Sequence, residues 1–388
     1  MKRGAIIIEG HVQGLSNARS LGESGIPVIV VDTANCLARY SKHCLKFFKC
    51  PPYQSDEFSA FLIDLAEKEN LNDWVLIPSN DHAVYSLAKH ARELGMFYQY
   101  FNQDLSQLEK IYDKLNLIEV AKENNLPCPE TWHFESLNNI PYHSIKFPVI
   151  TKGRFGLSFY KTFGKKVFYA ENRDKLENHL NYISESFPIE STFTQVLIPK
   201  NTGNNTISFT SFSIDGEIQT HWIGTKLREH PLAFGTATFA ESTICQDCYK
   251  HSKDLLSALK YTGVCEIEYL FNSETNQFEL IEVNARTWLW VGLAKVCGLN
   301  YAMMIFNYFN NIANEYPDKY PVGIAWINIL TDTFYSGLAI LAGKLSLKRY
   351  LSSMIRRKKI HAIFSFKDII PSFISPIIFL NRLFNNNL

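Results

Sequence analysis

Glu268, Glu282 and Asn284 stand in a stretch whose apolar residues alternate as they do along β-strands. Runs 264–271 and 278–284 flank a turn-rich segment, 272–277, which predicts a hairpin. Glu282 and Asn284 are two residues apart on one strand, so their side chains share a face. If the loop is 273–277, Glu268 lies opposite Glu282 and Glu266 opposite Asn284. A slip of one residue sends Glu268 and Glu282 to opposite faces. Opposed carboxylates with Cβ atoms about 5 Å apart repel unless a cation or a proton neutralises them. Val264, Leu270, Leu280 and Val283 surround them, so uncompensated charge there is costly. Two carboxylates and an amide oxygen form a hard, all-oxygen donor set, suited to magnesium bridging nucleotide phosphates. One glutamate on a hairpin is an ordinary surface acid. The set, with Arg286 beside it, reads as a site.

The elements that must position this set follow an α/β order. Residues 5–8 and 26–31 are short apolar strands separated by Gly10, Gly14 and a helical spacing over 15–22. A third strand, 74–78, leads through Ser79-Asn-Asp81 into a helix over 83–94. Asp81 is there either as a helix cap or as a group facing a ligand at the carboxyl end of the strand. The Gly10-x-x-x-Gly14 spacing is not the dinucleotide fingerprint, which weakens a nicotinamide reading. Further on, 111–124 reads as a helix, 148–152 as a strand ending in Lys152, 153–164 as a glycine-bearing aromatic segment and candidate lid, and 172–182 as a helix. Strand 194–199 precedes a hairpin, 207–214 and 218–223 about Asp215-Gly216. Residues 226–241 read as a long loop, and 249–261 as a helix.

Ile281-Glu-Val-Asn-Ala-Arg286 resembles the metal-binding strand of the ATP-grasp superfamily, in its carboxylate–amine ligase branch, usually written E-x-N-P-R. Ala285 replaces the customary proline, which removes rigidity but no ligand. The resemblance covers roughly residues 4–310. It implies Glu268, rather than Glu266, as the first metal carboxylate, with Glu282 and Asn284 completing the set. Tyr112-Asp-Lys114 and Lys152 are similar to the family's phosphate lysines. Thr194-Gln-Val-Leu-Ile198 resembles the adenine hinge, bringing in Gln195, Val196 and Ile198, with Asn205 as a ribose contact. Leu227-Arg-Glu-His-Pro231 followed by Phe234-Gly-Thr-Ala-Thr238 is similar to the family's substrate loop. On this resemblance Arg228 faces the acyl-phosphate or the carboxylate substrate and stabilises the tetrahedral intermediate, and Arg286 faces the transferring phosphoryl group. His230 is a possible general base. The family implies ATP and magnesium, two ions, with manganese as a substitute. It implies an ADP-forming ligase joining a carboxylate to an amine, with an amino acid or sugar acid as one partner.

The implied architecture is α/β and α+β: a Rossmann-like pre-ATP-grasp domain over 1–105, a small lobe and lid over 106–190, a large lobe with the metal site over 191–312, and a mostly helical, basic and apolar appendage over 313–388. Two other classes stay open. A nicotinamide oxidoreductase would use the N-terminal fold and leave Glu282 and Asn284 without a role. A nucleotide-binding regulator would bind ATP without turnover.

The composition is that of an ordinary globular protein, with 46% hydrophobic and 20% charged residues. The net charge of +1 conceals an asymmetry: residues 344–388 carry nine Lys or Arg and one acid, Asp368. The body is acidic, which argues against a nucleic-acid partner. Eight scattered cysteines and no signal-peptide pattern indicate free thiols in the cytoplasm. Cys245-Gln-Asp-Cys248 lacks the second pair or nearby histidine a zinc site needs. Residues 322–343 approach membrane-spanning length, but their polar residues favour a strand and a buried helix. The basic tail, with apolar residues over 369–384, predicts either a packed helical appendage or a peripheral contact with the inner face of a membrane. The latter fits a substrate carried on a lipid or polysaccharide precursor.

Overall fold

The computed structural model describes residues 3–199, 206–231, 235–355 and 358–384. The N-terminal third is a five-stranded sheet in the order Cys44–Lys49, Val28–Asp32, Ala5–Ile8, Trp74–Pro78, Tyr98–Gln99, with every pair parallel. Its central strands are continuously apolar because both faces are covered. Ala5 and Ile7 pack with Leu15 and Ala18 of the helix Val12–Glu23, while Ile6 and Ile8 pack with Phe58 and Leu62 of the helix Asp56–Glu69. That helix begins at Val12, so Gly14 belongs to its first turn rather than to the preceding one. A Cβ on Gly14 would lie 2.1 Å from the Glu9 carbonyl oxygen, which is why the helix can sit so close to the strand end.

A four-stranded antiparallel sheet follows, in the order Thr131–Trp132, Thr192–Val196, Val149–Gly153, Phe168–Ala170. The third sheet has seven strands, in the order Gln277–Asn284, Gly263–Asn272, Ile207–Ile214, Glu217–His230, Thr236–Thr243, Ala325–Ile327, Lys359–His361. The segment 226–241, read as a loop, is instead largely the paired strands Glu217–His230 and Thr236–Thr243. The expected helix over 111–124 is two helices, Leu105–Tyr112 and Lys114–Glu123. Asp113 between them caps the second by accepting from the Leu115 amide at 2.9 Å.

The C-terminal part carries the helices Ile329–Leu341, Leu347–Met354 and Ile370–Phe384, and two of its strands extend the large sheet. Residues 322–343 form a strand and a helix of 13 residues. Among the described residues no helix is long and apolar enough to cross a membrane. The appendage is tied to the N-terminal sheet by Arg19, whose guanidinium donates to the buried Asp368 carboxylate at 2.8 Å.

Candidate active site

The hairpin forms in the register that brings the acids together. Glu268 pairs with Glu282 and Glu266 with Asn284, so alternation puts both pairs on one face, and an irregularity between Glu268 and Tyr269 sets Glu268 opposite Glu282 rather than Ile281. Asn284 Nδ2 donates to Glu266 Oε2 at 3.1 Å. The other Glu266 oxygen is buried without a partner among the described residues. Burial, then the neighbouring Glu268 charge, pushes the Glu266 carboxyl up to about 8.

Each remaining carboxylate holds a lysine. Lys114 Nζ donates to Glu282 Oε2 at 2.5 Å, and Lys226 Nζ to Glu268 Oε1 at 2.6 Å. The Lys114 ammonium keeps Glu282 well below the usual carboxylate range. Lys226 was not foreseen, because its strand was read as ending at 223. Lys152, on Val149–Gly153, has its ammonium 5.1 Å from the Phe193 ring centroid. Lys114, Lys152, Lys226, Glu266, Glu268, Glu282, Asn284 and Arg286 all line one cleft of about 560 Å³ between the four-stranded and the seven-stranded sheets.

Burial, then repulsion from Lys114, lowers the Lys152 ammonium to about 7. The folded chain therefore binds fewer protons at this group than the unfolded chain between about pH 7 and the ordinary lysine range, so its contribution to stability grows as pH rises through that window. A phosphate bound beside it favours the charged form. Nucleotide binding with EDTA present is expected to take up a proton at pH 8, and less towards pH 6. Calorimetry in buffers of different ionisation enthalpy measures this, and Lys152→Met is expected to remove the uptake.

Arg286 extends the site towards the carboxyl edge of the parallel sheet. Its guanidinium donates to Asp81 Oδ2 at 2.8 Å, to Asn284 Oδ1 at 3.1 Å and to the Thr287 carbonyl, while Nε is buried without a partner among the described residues. Asp81 is thus a partner of Arg286 and not the helix cap. The cap is Asn80, which accepts from the His82 amide at 2.9 Å. Glu9, a residue not anticipated, accepts from Gln13 and Asn80. Burial raises its carboxyl to about 7 against the pull of Arg286.

Four of the expected residues do not reach the cleft as anticipated. Arg228 donates through Nε and Nη2 to both oxygens of Asp332, at 2.8 and 2.7 Å, and lies over the rings of Phe239 and Tyr350. Register shifts on either side of Arg228 break strict alternation, so Lys226 and Glu229 line the cleft while Arg228 turns to the helices Ile329–Leu341 and Leu347–Met354. Gln195 is buried, with its side chain donating to Thr131 Oγ1 at 3.0 Å. The Val196 amide is spent on the Glu130 carbonyl, and that of Leu197 on the Pro148 carbonyl. Of the hinge, Leu197 and Ile198 line the cleft. Asn205 lies outside the described residues. His230 stacks on Tyr335 in a neighbouring cavity.

Residues 235–306 match the family model described as the carbamoyl-phosphate synthase L chain, ATP binding domain. The chain is 24% identical over 322 residues to a D-aspartate ligase of Enterococcus faecium (strain Aus0004), covering 77% of this chain and 75% of that one. Among solved structures it superposes on the N5-carboxyaminoimidazole synthetase of Staphylococcus aureus with a TM-score of 0.64, at 16% identity, covering 84% and 82% of the two chains. The fold is the ATP-grasp fold. A second similar solved structure is the L-amino acid ligase of Bacillus licheniformis, with a TM-score of 0.59 at 16% identity, covering 79% of this chain and 74% of that one. The ligase class expected from the sequence agrees with the names these relatives carry.

A cavity of about 840 Å³ adjoins the ATP-grasp cleft, and both are lined by Tyr160, Lys166, Thr236 and Leu289. Among its described lining residues are Lys161, Lys165, Lys166 and Arg382, and no Asp or Glu. The C-terminal helix Ile370–Phe384 supplies part of its wall through Ile378 and Phe379.

Proposed function

We propose that the protein is an ATP-dependent ligase that joins a carboxylate to an amine through an acyl-phosphate, releasing ADP. The observation that carries this reading is the facing pair Glu268 and Glu282, each neutralised by a lysine, in one cleft with Lys152 and Arg286. In this reading Glu268, Glu282 and Asn284 hold magnesium, as one or two ions, with manganese a substitute. Among the described residues no three His, Cys, Asp or Glu side chains close on one point. Two carboxylates and an amide suit an ion that takes its remaining oxygens from phosphate. The ion supplies neutralisation of charge on the phosphoryl group in transfer. The lysines then exchange carboxylate partners for phosphate oxygens, so nucleotide and metal enter together with little change in the charge of the cleft.

The chain's own groups give the reaction its order. Lys114, Lys152 and Lys226 hold the phosphates, which makes positioning and charge the main contribution. The substrate carboxylate oxygen attacks the γ-phosphorus and ADP departs. The amine nitrogen then attacks the acyl carbon, phosphate departs and the amine loses a proton. Arg286, beside the proposed metal set, takes the role expected of Arg228, whose guanidinium is bound to Asp332. Leu197 and Ile198 present the hinge to the adenine. The helix Gly156–Phe163, whose Tyr160 borders both cavities, serves as the lid that keeps water from the anhydride.

The adjoining cavity, cationic and with no Asp or Glu among its described lining residues, would receive a substrate that enters as an anion, such as an amino acid or sugar acid, or an anionic polysaccharide or lipid-linked precursor carrying one reactant. ADP release with a panel of amino acids as acids and acceptors is expected to exceed the ATP-only background for at least one pair, with an equal amount of amide formed. Tight ATP binding with no release for any pair would favour the regulator instead.

A further inference from the structure

The three C-terminal helices leave an apolar surface that the ligase chemistry does not use. In Ile370–Phe384 the exposed large apolar residues are Ile370, Phe373, Ile377, Leu380 and Phe384, at intervals of three and four, while Pro371, Ser375 and Phe379 are buried. The helix therefore turns one apolar stripe inward and another outward. Ile329–Leu341 does the same with Phe334, Leu338 and Leu341. Leu347 and Leu351 continue the pattern on the third helix, and Ile355 follows it. The helices are neighbours. Phe334 meets Phe379 edge-on at 5.3 Å, and Tyr350 shares a hydrogen bond with Thr333. Leu341 and Phe366 are each 87% exposed and Phe384 82%, so little among the described residues covers these side chains.

The charge on this region has one sign. Lys344, Lys348, Arg349, Lys358 and Lys367 are exposed. The only acids in residues 329–384 are Asp332 and Asp368, both buried, and their charges are spent on Arg228 and Arg19. We propose that this face docks on an anionic lipid bilayer, with the apolar stripes in the interface and the ammonium and guanidinium groups among the headgroups. A two-fold contact with a second copy would set the same cations against each other. The helices lie on the surface rather than cross it, since none is long enough to span. Ile378, Phe379 and Arg382 of the helix Ile370–Phe384 also line the 840 Å³ cavity, so docking would set the bilayer beside one entrance to the active site.

Vesicle flotation of the full chain tests this, independently of turnover. Vesicles of phosphatidylcholine with phosphatidylglycerol are expected to bind at least about tenfold more protein than phosphatidylcholine alone, with the excess lost at high salt. Phe373→Ser/Ile377→Ser and Lys348→Glu/Arg349→Glu change exposed side chains only. Each double variant is expected to lose most of the binding while keeping the wild-type melting temperature. The proposal is overturned if the full chain stays off the anionic vesicles at low salt, or if both double variants bind as wild type does. It is equally overturned if the chain dimerises through Phe373 and Ile377 and binds no lipid.

Discussion

Glu282→Gln is expected to lower ADP release by about 100-fold or more, the scale on which removal of one charge-stabilising group acts in a preorganised site. Lys114 holds the Glu282 carboxyl ionised far below neutrality, so the amide removes a full negative charge while keeping the shape. If the carboxylate holds magnesium, its loss weakens the ion before it weakens the nucleotide. The apparent KM for magnesium should rise more than that for ATP, and excess magnesium should restore part of the rate. Glu268→Gln should fail in the same way and also leave Lys226 buried without its carboxylate. Glu274→Gln, on the exposed turn of the same hairpin, should leave the rate unchanged. Should no productive substrate pair be at hand, calorimetry gives the same discrimination. Magnesium should tighten ATP binding to the wild type and have little effect on Glu282→Gln. Retention of more than half the wild-type rate, or of the magnesium effect, would remove Glu282 from the metal set.

The acid pair was legible because the hairpin is local. Its turn, its alternation and its charges all fall within 264–284, and only one register places the carboxylates where a cation can serve both. The parallel sheet was legible for a similar reason, since strands covered on both faces read as unbroken apolar runs. Lys226 and Arg228 were not. Thr236–Thr243 is built mainly of Thr, Ala and Ser, which mask β alternation, so its pairing with Glu217–His230 has little signature in the sequence. The irregular register that turns Arg228 from the cleft is set by a partner 104 residues away, Asp332, and no local pattern reports it. Glu9 could have been found from its place alone. It follows the first strand directly, at the carboxyl edge of an open parallel sheet, where such folds put their ligands.

Arg228 supplies the sharpest test of that reassignment. Its bond to Asp332 is bidentate and shielded, with 13% of the arginine side chain and none of the aspartate side chain exposed. Thr238 Oγ1 also donates to Asp332, so the carboxylate is satisfied on both oxygens. Removing one partner of such a pair leaves a buried charge uncompensated, which typically costs about 3–5 kcal/mol. Arg228→Ala and Asp332→Ala are each expected to lower the urea midpoint strongly. Arg228→Met/Asp332→Leu removes both charges while keeping the branched shape at 332 and should recover most of the loss, because no buried ion is left behind. A catalytic arginine predicts the opposite pattern for turnover. The double variant would then be stable and inactive. Since the guanidinium points to the helix Ile329–Leu341 and not to the cleft, the double variant should instead keep ADP release near wild type. Full stability with turnover reduced by two orders of magnitude would return Arg228 to the reaction and require it to leave Asp332 when substrate binds.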